Sequence, residues 1–141
     1  MKISYIVPCF NESKNIKDVY CHITYANKSA NIFDYEVIFI NDYSSDNTLE
    51  IFKQIEKKDK KIKIVNNPKN LGLGGSIKQG LKNANKDFIM YLPGDNCHSS
   101  SEILKMLEVK ESFDILLSYY SNNKDRSFFR WLFTSTYTPF L

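Results

Sequence analysis

The chain has 141 residues, room for one domain with a sizeable core. Its 43% hydrophobic content excludes a disordered chain, and a net charge of +3 from 19 basic and 16 acidic residues is too mild for a nucleic-acid binder. No apolar run approaches the roughly 20 residues that a membrane-crossing helix needs, and 3 cysteines without metal-type spacing or a signal peptide favour a reducing cytoplasm.

Residues 3–9 (ISYIVPC) read as a buried strand, short and β-branched, with Pro8 placed to close it and set the turn. Ile16, Val19, Tyr20 and Ile23 then fall at i, i+3, i+4 and i+7, which predicts an amphipathic helix over 14–29. A second strand follows at 35–40 (YEVIFI). Behind it, Ser44–Asn47 offers helix-capping chemistry, and Leu49, Phe52 and Ile55 supply an apolar stripe. The lysines at 57, 58, 60, 61 and 63 read as a solvated helix end running into a third strand at 62–66. Gly72, Gly74, Gly75 and Gly80 predict a flexible loop that enters a helix at about 75–85. A fourth strand, also read as buried, spans 87–92, a helix around 100–110 carries Ile103, Met106 and Leu107, and a fifth strand is expected at 113–120. This alternation predicts an α/β domain with a parallel sheet covered on both faces.

Three strand ends carry the chemistry: Pro8–Glu12, Asn41–Asp46 and Pro93–His98. Open α/β sheets bind ligands at the carboxyl ends of their strands, so acids placed there point to a ligand site. Asp42, an acceptor-only carboxylate, suits the N–H of a nucleobase. Glu12 suits a ribose hydroxyl, or is an ordinary acid in the first turn of a helix. Asp95 can hold Mg²⁺ or Mn²⁺ against a phosphate, with Asn96 and His98 beside it, His98 also fitting a plain loop residue. Gly72–Ile77 matches neither a dinucleotide fingerprint nor a P-loop, which leaves close backbone approach to a ligand or a simple turn.

Together these motifs resemble glycosyltransferase family 2. IVPCFNE at 6–12, NDYSSDNT at 41–48, NLGLGGSIKQG at 70–80 and PGDN at 93–96 stand in the order of that family's elements, and within it they look most like the polyprenyl- and dolichyl-phosphate sugar synthases. The resemblance implies the GT-A fold, a mostly parallel twisted sheet with helices on both faces. It reads residues 1–141 as the nucleotide-sugar-binding part, truncated at its carboxyl end before the acceptor side. It implies that Pro8, Phe10, Glu12, Asp42, Gly72 and Asp95 hold a UDP- or GDP-sugar. It further implies that Asp95 holds the Mg²⁺ or Mn²⁺ that bridges the diphosphate, and that the sugar moves with inversion to an acceptor such as a polyprenyl phosphate. Arg126 and Arg130 suit that acceptor's phosphate, or form the basic face of an amphipathic helix, in a stretch suited to the inner membrane surface.

Departures accompany the match. Pro93 stands where the first acid of a D-x-D metal motif belongs, Tyr43 replaces the usual glycine and must avoid positive φ or accept strain, and Tyr119 stands where those synthases carry Arg. No general base is named by these residues. Pro93 also motivates the alternative of a nucleotide-sugar-binding module without catalysis. A nucleotidyltransferase would want a Gly-rich, Lys/Arg-containing loop after the first strand, which residues 8–13 lack.

Overall fold

The computed structural model describes residues 1–109 and 115–117. Among these residues four strands and four helices alternate: β1 (Ile3–Cys9), α1 (Ile16–Ser29), β2 (Tyr35–Asn41), α2 (Thr48–Glu56), β3 (Ile62–Asn66), α3 (Gly72–Asn83), β4 (Phe88–Tyr91) and α4 (Ser100–Glu108). The sheet is parallel throughout, in the order β3-β2-β1-β4.

Alternation along β1 and β2 sorts the core into two layers. Tyr5, Val7, Val37 and Phe39 face α1, α2 and α4, where they meet Ile16, Val19, Ile23, Phe52, Ile103 and Leu107. Phe39 stacks on Phe52 with ring centroids 4.7 Å apart, and burying each ring is worth about 2–3 kcal/mol. Ile6, Ile38 and Ile40 face the opposite side, which α3 covers. There the helix comes close because Gly80 has no side chain: a Cβ on it would lie 2.3 Å from Ile6 Cγ2 and 3.2 Å from Ile40 Cδ1.

Four expectations change. The glycine segment is not a loop before a helix. α3 begins at Gly72, with Gly72 itself at φ +69°. Pro8 does not end β1, which runs on to Cys9. The carbonyls of Ile6 and Pro8 point toward the β4 side, and β4 has ended at Tyr91, so the missing proline N–H costs no ladder bond. The apolar residues of β4 are not buried. Among the described residues the strand has β1 as its one neighbour, pairs over only Ile3–Ile6, and leaves Phe88, Ile89 and Tyr91 exposed. The fifth strand lies largely outside the described residues, and Ile115–Leu117 carry no regular structure.

At the amino end of the sheet, Glu36 is 5% exposed. Ser4 Oγ donates to its Oε1 at 2.6 Å, the Asn85 N–H donates to the same oxygen at 2.7 Å, and Lys63 Nζ lies 2.7 Å from Oε2. Burial pushes this carboxyl up, but those donors together hold it below the usual carboxylate range. Lys86 pairs with Asp34 nearby, and Lys61 lies 4.1 Å above the Tyr35 ring. Part of the lysine cluster therefore has partners rather than solvent alone.

Candidate functional site

β1 and β2 run in register from Ile3 opposite Tyr35 to Cys9 opposite Asn41, so their tips end level. The Asp42 N–H donates to the Cys9 carbonyl at 2.9 Å and carries the pairing one step past the strands. The tips are then stitched by side chains. Asn11 donates its N–H to Ser44 Oγ at 3.0 Å, and its Oδ1 accepts the Ser45 N–H at 2.8 Å. The Glu12 N–H donates to Thr48 Oγ1 at 2.9 Å.

Asp46 ties the same two segments with its carboxylate. Oδ2 accepts the Ser13 N–H at 3.1 Å, and Oδ1 accepts the N–H and the hydroxyl of Thr48 at 3.0 and 2.5 Å. It thereby satisfies the first turn of α2, whose N-cap residue Asn47 makes no side-chain cap. Burial raises the pKa of Asp46, but the bonds from Thr48 and Ser13 outweigh it and lower it to about 2.

Asp42 is 4% exposed and faces inward. Its Oδ1 accepts Asn67 Nδ2 at 2.8 Å and the Leu71 N–H at 2.8 Å, and Asn67 Nδ2 also reaches Ser76 Oγ at 3.0 Å. This carboxylate fastens the tip of β2 to the segment that starts α3. Asn67, Ser76, Asn11 and Thr48 are thus part of the edge, although none stood out beforehand. The available signal was polar residues placed directly after β1, β2 and β3, where each strand's backbone groups run out of partners.

After β4, the chain folds back over the tip of β1. The Gly94 N–H donates to the Pro8 carbonyl at 3.2 Å, and a Cβ on Gly94 would stand 2.4 Å from Cys9 Sγ. That close approach sets Asp95 beside the tip of β1. Burial pushes the Cys9 thiol well up, and the negative charges of Glu12, Asp46 and Asp95 push it further. Glu12 is half-buried and accepts Asn15 Nδ2 at 2.7 Å, Phe10 is 51% exposed, and Pro8 lies in β1 beneath them. Gly72 is exposed, with open space where a Cβ would stand, so it is the positive φ that requires glycine there.

Asp95 is exposed, and its Oδ1 accepts the Cys97 N–H at 3.1 Å. Beside it Asn96 sits at φ 62°, and its Oδ1 is buried with no hydrogen-bond partner among the described residues. No cluster of three or more His, Cys, Asp or Glu able to cage a metal occurs among the described residues. One carboxylate and an orphaned amide oxygen instead fit a hard cation that completes its shell with ligand phosphates and water. Arg126 and Arg130 lie outside the described residues.

An apolar groove of about 530 Å³ lies elsewhere, along β4, lined by Ile77, Leu81, Ile89, Met106 and Leu117 among others. Its chemistry differs from that of the polar strand tips.

The sequence model described as glycosyl transferase family 2 matches residues 4–139. The dolichol-phosphate mannosyltransferase of Pyrococcus furiosus is 30% identical over 118 residues, covering 83% of this chain and 32% of that protein. The crystal structure of S. aureus TarS 1–349 in complex with UDP-GlcNAc aligns with a TM-score of 0.59 at 28% identity, over 67% of this chain and 27% of that one. The mannosyltransferase PcManGT from Pyrobaculum calidifontis, in complex with GDP-Man and Mn²⁺, shares the fold with a TM-score of 0.59 at 18% identity, over 67% of this chain and 27% of that one. The chain spans 31% to 42% of the length of the first curated relatives it matches. No described helix is long and apolar enough to cross a membrane. The four-stranded parallel sheet, the order of its strand-tip motifs and the match over residues 4–139 converge on one conclusion: the chain has the GT-A fold and belongs to glycosyl transferase family 2.

Proposed function

We propose that this chain is the nucleotide-sugar-binding part of a glycosyltransferase that moves a sugar, with inversion, from a UDP- or GDP-sugar to a polyprenyl phosphate at the inner membrane surface. The observation that carries the reading is the joining of three strand tips at the carboxyl edge, where Asn11, Glu12 and Ser13 bond to Ser44, Thr48 and Asp46 and the Gly94 N–H bonds to the Pro8 carbonyl. Phe10 offers an exposed ring face to a base, and Glu12 an acceptor to a ribose hydroxyl. Asp42 holds the glycine segment in place through Leu71 and Asn67. α3 then starts at Gly72 with no acid in its first turn, so its positive dipole end suits a diphosphate.

Asp95, with Asn96 beside it, would hold Mg²⁺ or Mn²⁺. The ion supplies charge stabilisation for the departing diphosphate. The chain's own part is to hold the donor between the strand tips and keep the anomeric carbon open to the acceptor. For the polyprenyl acceptor, support comes from the likeness to a dolichol-phosphate mannosyltransferase. A second reading, a binding module without catalysis, draws on Pro93 at the first position of the metal motif.

Calorimetric titration of UDP and GDP, with Mn²⁺, into the full-length protein and its Asp95→Asn variant tests the site. The variant is expected to lose affinity by about 100-fold, a substantial part of the ion's hold on a diphosphate. Equal affinity in both proteins removes the metal role. Transfer of radiolabelled sugar to polyprenyl phosphate by the full-length protein separates the enzyme from the binding module.

A further inference from the structure

Tyr43 stands out among the described residues as an aromatic side chain on a left-handed backbone. Its φ is 63°, and the other residues besides glycine with positive φ are Asn11, Asn31 and Asn96, a type that tolerates this region. The ring gains little from the fold, because Tyr43 is 61% exposed and its hydroxyl meets no hydrogen-bond partner among the described residues. The conformation is nevertheless imposed from both sides. Before it, the Asp42 N–H is fixed to the Cys9 carbonyl at 2.9 Å. After it, the Ser44 N–H donates to Asn41 Oδ1 at 3.2 Å and the Ser45 N–H to Asn11 Oδ1 at 2.8 Å. A strained backbone that its surroundings over-determine is the pattern found at ligand sites, where the strain aims a side chain.

Asp42 and Phe10 follow the registered pair Cys9 and Asn41, so Phe10 and Tyr43 rise from adjacent strand tips, and both are more than half exposed. We infer that Tyr43 is a specificity-determining residue whose ring stacks on the nucleobase of the donor, with Phe10 as the neighbouring aromatic face. The inference rests on the nucleotide-sugar reading of this edge. Stacking is tolerant of base identity because every base has a π face, and a purine offers more of it than a pyrimidine.

The test compares Tyr43→Gly, which removes the ring and accepts positive φ, with Tyr43→Phe, which keeps the ring. Full-length proteins are titrated with UDP, GDP and inorganic pyrophosphate, each with Mn²⁺, and their melting temperatures are measured. Tyr43→Gly is expected to bind both nucleotides about tenfold more weakly, GDP losing more than UDP, while pyrophosphate affinity stays within about twofold. Its melting temperature should not fall, because glycine relieves the strain. Tyr43→Phe should bind within about twofold of the parent. Unchanged nucleotide affinity in Tyr43→Gly overturns the inference. So does an equal loss for pyrophosphate, a lower melting temperature in Tyr43→Gly, or an equal loss in Tyr43→Phe. If the parent protein binds neither nucleotide, the nucleotide-sugar reading itself fails, which distinguishes that failure from a wrong role for Tyr43.

Discussion

At the amino end of the strands, Glu36 is held by Lys63, Ser4 and the Asn85 N–H, and Asp34 is paired with Lys86. At the carboxyl end, Glu12, Asp42, Asp46 and Asp95 have no lysine or arginine partner among the described residues. The first end closes its acids with cations from the fold. The second satisfies them with backbone N–H groups, hydroxyls and amides, and leaves Asp95 facing solvent. Neutral donors satisfy a carboxylate without cancelling its charge, so the carboxyl end keeps a local negative potential suited to a cation. One end of the sheet pairs its acids with cations, and the other does not.

Breaking the amino end should cost the most stability. Glu36→Ala strips an acceptor from Ser4 and Asn85 and a partner from Lys63, and should lower unfolding free energy by about 3 kcal/mol in a urea titration. Nucleotide affinity should stay within about twofold, and a matching loss of affinity breaks the division between the two ends. Asp42→Ala should cost about 2 kcal/mol and also weaken nucleotide binding, since the same oxygen holds Asn67 and Leu71. Gly80→Ala should cost about 1–3 kcal/mol, because Ile6 Cγ2 lies only 2.3 Å from the new Cβ, and its effect should be confined to stability. Asp95→Asn should change stability by less than about 0.5 kcal/mol while removing Mn²⁺-dependent nucleotide binding.

The smallest expected effect concerns pH. Asp46 has a folded pKa of about 2 against an ordinary 3.8, so its contribution is present above 3.8 and is lost as pH falls toward 2. Between those values the parent should lose slightly more stability than Asp46→Asn, as read by melts at successive pH. Parallel curves would mean that the Ser13 and Thr48 bonds contribute nothing to folding.

β1 and β2 were legible because both their faces are covered, so ISYIVPC and YEVIFIN are nearly continuous apolar runs. Asp42, Glu12 and Asp95 were legible as acids that follow β2, β1 and β4. The start of α3 was not legible, since glycine reads as loop by propensity while here its small size serves packing against Ile6 and its φ serves the first turn. Nor was the exposure of β4, because FIMY says nothing about how many neighbours the strand has. The Glu36 network carried a faint signal, a charged residue inside a fully buried strand with Lys63 at the second position of the adjacent one.

The Leu71 N–H that ends on Asp42 Oδ1 has a further consequence for solution work. An amide donated to an ionised carboxylate shifts downfield and exchanges slowly with solvent, so this proton is a built-in reporter at the junction of β2 and α3. A ligand that competes for Asp42 should move the Leu71 resonance, while one that settles only near Asp95 should leave it in place. A single amide signal can thereby separate a ligand held at the Asp42 side of the edge from one held at its Asp95 side.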